Sequence, residues 1–171
     1  MWLLVSCYGI FFIHLEMVIE EVKTGNILFV EIVPVADRDY AKITKKQYWF
    51  DWKKERSHDI YKLNIRGTDE ILGLMSIEDI KKESRIEIRL LAVSAENRGS
   101  GKIYNRIIVN LIAFASKNSL RMYGELACVT LIPKTEIVQH YIDTYNMFEA
   151  GVSLCLDGRE LIDLINTYDH D

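Results

Sequence analysis

The chain has 171 residues, a length that one compact domain with its own hydrophobic core accounts for without disulfide or metal staples. Apolar residues make up 49% of it and only two prolines and nine glycines interrupt them, which argues against a long disordered or low-complexity tract. The formal net charge is -4 and no block of five like charges occurs, so the chain lacks the basic stripe of a nucleic-acid binder; Lys45-Lys46 and Lys53-Lys54 read as a solvated helix face.

Met1 to Leu15 is the compositional oddity, with Trp2-Leu3-Leu4-Val5 and then Tyr8 to Ile13 almost free of polar residues. It lacks the basic n-region and small-residue cleavage site of a secretory signal, and it falls short of the roughly 20 residues of a membrane span. Either residues 1–16 pack on the domain as an extra element, or they are an upstream extension and Met17 is the natural start. Both leave one domain over 17–171, expected in the cytoplasm and away from membranes. Cys7, Cys128 and Cys155 are few, odd in number and far apart; they suit a reducing compartment and read as small buried apolar residues.

Ile27 to Val35 is short and β-branched and reads as a strand, after which Asp37 offers an N-cap. Arg38 to Arg56 spaces Tyr40, Ile43, Gln47, Phe50 and Trp52 as a helix or helix pair. Three strands follow as an antiparallel meander: Ile60–Ile65, Ile71–Ile77 and, after a charged turn from Asp79 to Ser84, Arg85–Val93. Ile103, Ile107, Ile108, Leu111, Ile112 and Phe114 then recur on one face of a long helix that starts at the preceding glycines and runs to Ser119. Gly124 to Ile132 reads as a buried strand ended by Pro133, and Thr135 as the cap of a helix carrying Ile137, Val138, Tyr141, Ile142 and Tyr145. Val152–Leu156 is a last strand, Asp157-Gly158 a turn, and Leu161, Leu164 and Ile165 one side of a closing helix.

Between the third meander strand and the long helix stands Glu96-Asn97-Arg98-Gly99-Ser100-Gly101-Lys102. Helix-opening amides and the positive end of the helix dipole suit an anion, glycines permit close approach, and Arg98 and Lys102 add positive charge. The order of elements excludes a repeating dinucleotide fold, and Ile103 after Lys102 excludes a Walker loop.

Over residues 27–166 this order resembles the GNAT superfamily of acyl-CoA-dependent N-acetyltransferases, most closely where Leu91-Ala92-Val93-Ser94-Ala95-Glu96-Asn97-Arg98-Gly99-Ser100-Gly101 matches the family's Gln/Arg-x-x-Gly-x-Gly/Ala loop. The resemblance implies an α/β (α+β) fold, with a mixed, mainly antiparallel sheet flanked by helices and split between two central strands. It also implies acetyl-CoA as donor, with Leu91, Ala92 and Val93 pairing its pantetheine arm. Arg98, Gly99, Ser100, Gly101 and Lys102 would hold its pyrophosphate, and Thr135 stands at the family's asparagine. Glu96 replaces the usual Gln or Arg and is expected to point to solvent.

For catalysis, Glu87 falls near the glutamate of the histone-acetylating branch, with a solvated strand glutamate paired to a cross-strand lysine as the alternative. Ile142 takes the place of the family's proton-donating tyrosine; Tyr145 and Tyr141 flank it at helix positions that point elsewhere, so either one substitutes or water serves. His140 is weighed with them, and the scattered His14, His58 and His170 suggest no metal site, in keeping with a metal-free chemistry. The resemblance implies acetyl transfer to a primary amine, on a small molecule or peptide, by direct attack in a ternary complex, with a homodimer possible. The alternatives are a degenerate member that binds CoA or a protein partner without turnover, and a structural domain whose glycine loop is only a tight turn. The acidic balance slightly favours a cationic amine.

Overall fold

The computed structural model of the chain describes residues 16–168, so both readings of Met1 to Leu15 fall outside the described residues. Strands β1 (Val18–Glu21), β2 (Ile27–Pro34), β3 (Asp59–Ile65), β4 (Ile71–Ile80) and β5 (Arg85–Val93) form an antiparallel run. The two-residue β6 (Tyr104–Asn105) returns to pair with β1. On the other side of β5 lie β7 (Cys128–Leu131), then β9 (Ser153–Asp157) and β8 (Phe148–Ala150), giving one sheet ordered β6-β1-β2-β3-β4-β5-β7-β9-β8. The expected mixed, mainly antiparallel sheet flanked by helices is therefore present.

Among the described residues only β5 and β7 run parallel, and a parallel neighbour requires a crossover long enough to hold a helix. Here the helix is α2 (Ile107–Tyr123), whose Leu111, Ile112 and Ala115 are fully buried against the sheet. Gly73 of β4 lets it come close: a Cβ there would stand 2.7 Å from Ile107 Cγ2 and 3.1 Å from Leu111 Cδ1.

The pairing of β5 is lopsided. Toward β4 it pairs from Arg85 to Val93, whereas toward β7 only Arg85 to Ile88 find partners, in Cys128 to Leu131. β7 stops there because Pro133 follows, unable to donate to a ladder. At the same level β5 carries a bulge: Ile88 faces Ile77 and Leu90 faces Ser76, leaving Arg89 as the extra residue. The bulge reverses the alternation. Ile86 and Ile88 share the α2 core with Leu91 and Val93, while Leu90 and Ala92 turn to a second cluster built on Tyr48 and Trp52.

The segment expected as a helix or helix pair is instead three single turns, at Asp37–Ala41, at α1 (Lys45–Tyr48) and at Trp52–Glu55. Side chains hold it where helix length does not. Asp39, in place of the expected Asp37, closes the first turn on the Ala36 amide at 2.7 Å and forms a buried ion pair with Lys62 at 2.8 Å. Tyr48 Oη donates to Ile71 O at 2.7 Å and Trp52 Nε1 to Tyr48 O at 3.1 Å.

Three further boundaries differ from expectation. α2 begins at Ile107, after the loop and β6, and continues to Tyr123. The strand expected over Gly124–Ile132 is confined to β7, because a 3-10 turn occupies Gly124–Leu126. Thr135 opens a 3-10 turn and its side chain caps nothing, so α3 (Val138–Tyr145) starts later. α4 (Gly158–Thr167) closes the described chain and packs Leu161, Leu164 and Ile165 into the core. Cys128 and Cys155, read from the sequence as isolated, meet across β7 and β9 with their Sγ atoms 2.8 Å apart.

Candidate active site

Where β5 and β7 part, a cleft of about 520 Å³ opens. Leu91, Ala92 and Val93 form one wall with the unpaired edge of β5, and Leu131 to Lys134 form the other. Ile108 of α2 and His140, Tyr141 and Tyr145 of α3 lie along one side; Trp49 and Phe50 lie along the opposite side. An unpaired strand edge in a gap of this kind offers amides and carbonyls to an extended, amide-bearing ligand.

A second cavity of about 140 Å³ adjoins the first and shares Val93, Ile108, His140 and Tyr145 with it. Its own walls carry Asn97, Lys102, Tyr104 and Arg106, beside the first turn of α2. That helix has 17 residues and no side-chain cap on its opening amides, so its N–H groups and positive dipole end face a small cavity with Lys102 and with Arg106, whose guanidinium lies 3.8 Å from the Glu20 carboxylate. Asn97 fixes the loop from within: Oδ1 accepts from the Tyr104 amide at 2.9 Å and Nδ2 donates to Ser94 Oγ at 2.9 Å. Arg106 precedes the helix at φ 72, a left-handed conformation that costs a branched or bulky residue strain.

The loop residues named from the sequence separate. Lys102 lines the small cavity, while Gly99, Ser100 and Gly101 form an exposed 3-10 turn outside both cavities. Arg98 turns away from the helix start: it donates to Val93 O at 3.3 Å and to Gln47 O at 2.5 Å, and its guanidinium lies 5.1 Å from the Trp49 ring centre. Glu96 is exposed as expected, yet bonded: Oε2 accepts from Gln47 Nε2 at 2.7 Å. Its own backbone amide, then Gln47, Ser94 and the Arg98 charge, outweigh partial burial and hold its carboxyl below the usual range. Thr135 is exposed and lines neither cavity.

Of the catalytic candidates, Glu87 lies outside the cleft. It sits in the zipped part of β5 opposite Thr130, and its carboxylate accepts from Arg85 Nη1 at 2.7 Å, a same-strand arginine in place of the cross-strand lysine. Tyr141 and Tyr145 are brought together in the cleft wall, one helical turn apart, with ring centres 5.5 Å apart. Helical spacing alone points them elsewhere, but the split between β5 and β7 sets which face of α3 meets the cleft. His140 stands edge-on to Tyr145 at 5.7 Å.

Burial pushes the Tyr141 phenol up to about 12 and drives Tyr145 further in the same direction, with help from Tyr141 and Tyr168. A raised folded-state value means the folded chain holds protons that the unfolded chain releases. Tyr141 thus contributes stability that is complete below its ordinary pKa of 10.0 and lost as pH rises through about 12. The urea midpoint is expected to fall more steeply between about pH 10 and 12 in the parent chain than in Tyr141→Phe. Parallel curves would overturn that assignment.

Sequence reasoning missed Arg106, Trp49, Phe50 and Lys134. For Arg106 a signal existed: unbroken helical spacing begins at Ile107, so a helix started there makes Arg106 its flanking residue. For the other three, the fold alone brings them to the cleft.

No protein-family model matches this sequence, and no curated protein matches it. Solved structures do match in fold. A GNAT-family acetyltransferase from Listeria monocytogenes superposes with a TM-score of 0.54 at 15% identity, over 75% of this chain and 93% of that one. A mutant of the spermidine N-acetyltransferase of Vibrio cholerae gives 0.56 at 11% identity, over 78% and 96%. An N-acetylglutamate synthase of Neisseria gonorrhoeae, complexed with coenzyme A and L-arginine, gives 0.55 at 12% identity, over 77% of this chain and 34% of that one.

Proposed function

We propose that this chain, which has the fold of the GNAT acetyltransferases, moves an acetyl group from acetyl-CoA to a primary amine by direct attack in a ternary complex. The observation that carries the reading is the open edge of β5 leading into a cavity that holds Lys102, Arg106 and the start of α2. Neighbours in fold include a spermidine N-acetyltransferase and a synthase complexed with coenzyme A, which supports the donor and leaves the acceptor open.

The residues present suit that donor. An amide edge, an apolar cleft and a separate cationic pocket follow the order of pantetheine and pyrophosphate, and no Asp or Glu lines either cavity among the described residues. When bound, acetyl-CoA supplies the acetyl group as an activated thioester. Leu91 to Val93 would pair the arm, and Lys102, Arg106 and the α2 amides would receive the phosphates. Holding an amine against the thioester contributes about 7 to 11 kcal/mol in favourable cases, so little acid-base help is required. We assign that help to Tyr145, whose Oη burial keeps protonated and which borders both cavities, and to His140 as the imidazole that takes the amine's proton.

The test is a thermal melt with acetyl-CoA and a thiol-release assay on the parent chain and on Arg106→Asn, a residue type that tolerates φ 72. Acetyl-CoA is expected to raise the melting temperature, and loss of one charge-assisted contact to weaken it about tenfold. No stabilisation of the parent chain would end the proposal; stabilisation without thiol release over an amine panel would leave only a CoA-binding module.

A further inference from the structure

The charge of the cleft runs against the charge of the chain. The formal net charge is -4, yet the cleft is lined by Arg89, Arg98 and Lys134 and, among the described residues, by no carboxylate. The three cations are not equivalent. Arg89, the bulge residue, is already neutralised by Glu55 at 3.1 Å and Glu78 at 3.0 Å. Arg98 spends its hydrogen bonds on the neutral carbonyls of Val93 and Gln47, and the nearby Glu96 carboxylate is engaged by Gln47. Lys134 makes no ion pair with any described residue; its Nζ rests 4.1 Å from the centre of the Trp49 ring.

Trp49 joins the two. It stands at φ 71 in the turn after α1, half-exposed, with Arg98 from the β5 side and Lys134 from the β7 side both against its indole. The cleft wall at Trp49 is therefore aromatic and positively charged, with Phe50 next to it in the lining. A polycationic amine would meet repulsion there, and a neutral one would forgo the available field.

We propose that the acceptor amine carries a carboxylate and an apolar or aromatic body, as an apolar amino acid does, with the carboxylate on Lys134 and the body against Phe50 and the apolar wall of the cleft. This rests on the transferase reading of the same cleft. It also reverses the preference for a cationic amine drawn from overall composition, because at about 8 to 10 Å of screening length the groups lining the cleft outweigh distant surface acids.

The experiment has two stages. A thermal melt with acetyl-CoA and the thiol-release assay over an amine panel, both on the full chain, test the transferase reading alone. Calorimetric titration of the chain saturated with CoA then compares phenylalanine and leucine with their primary amides and with spermidine, in the parent chain and in Lys134→Glu. The free amino acids are expected to bind at least about fivefold more tightly than their amides, and Lys134→Glu to remove that preference, with a smaller difference at higher salt. If acetyl-CoA stabilises the chain and thiol is released while the amides bind equally well, spermidine binds more tightly, or neither amino acid binds, the acceptor proposal falls and the transferase reading stands. If acetyl-CoA does not stabilise the chain, or no thiol is released, both fall.

Discussion

Tyr145→Phe is expected to lower kcat about 100-fold while leaving acetyl-CoA affinity within about twofold, the signature of a lost proton donor. The substitution removes a single oxygen. That hydroxyl makes no hydrogen bond to another described residue, and the ring's contacts with Tyr141 and His140 survive in phenylalanine, so the fold is not at stake. Burial drives the Tyr145 phenol well above its ordinary range, with Tyr141 and Tyr168 adding to it, so the group is uniformly protonated at neutral pH. Rate should therefore show no loss on the alkaline side until far above neutrality from this residue. Tyr141→Phe is the informative companion, since Tyr141 borders only the larger cleft while Tyr145 borders both cavities. Should Tyr145→Phe keep full activity and Tyr141→Phe lose it, the donor is Tyr141; if both stay active, water protonates the leaving thiolate.

The parts of this site that could be read from the sequence are those set by local pattern. Arg85–Val93 announced itself as a strand by alternation followed by a continuous apolar run, and the structure assigns it those same limits. The change of pattern within it is the bulge at Arg89, where one extra residue turns Leu91 and Val93 to the α2 side. Other parts were hidden because they depend on partners distant in the chain. Trp49 and Lys134 meet only after β5 and β7 have been laid side by side, and Cys128 meets Cys155 only across β7 and β9. Turns at 37–55 resemble a helix in spacing because a buried face recurs every three or four residues, but Asp39, Tyr48 and Trp52 bury that face through bonds to β3, β4 and each other. The glycine loop drew the helix start too early for a related reason: Gly99–Gly101 closes a 3-10 turn, and the pairing of β6 with β1 postpones α2 to Ile107.

Gly73 seats the start of α2 against β4, and Gly73→Ala is expected to cost about 1 to 3 kcal/mol of folding stability. Its φ is not in the left-handed region, so the cost is steric rather than conformational: an added Cβ would lie 2.7 Å from Ile107 Cγ2, 3.1 Å from Leu111 Cδ1 and 3.3 Å from Ala92 O. The Ala92 carbonyl belongs to the sheet and cannot give way cheaply, whereas Ile107 is the first residue of α2. Relief therefore pushes the helix start off β4, and with it the Arg106 to Ile108 turn that borders the small cavity. Acetyl-CoA should then bind about tenfold more weakly even where Gly73→Ala remains folded, as read by calorimetry below the unfolding transition. Gly101→Ala is the contrast, since a Cβ there meets nothing within 4 Å and should change stability little. Ile107→Ala removes the clashing Cγ2, so the pair Gly73→Ala with Ile107→Ala should lose less stability than the sum of the two changes. Full additivity, or unchanged acetyl-CoA affinity in a folded Gly73→Ala chain, would separate the helix start from the binding site.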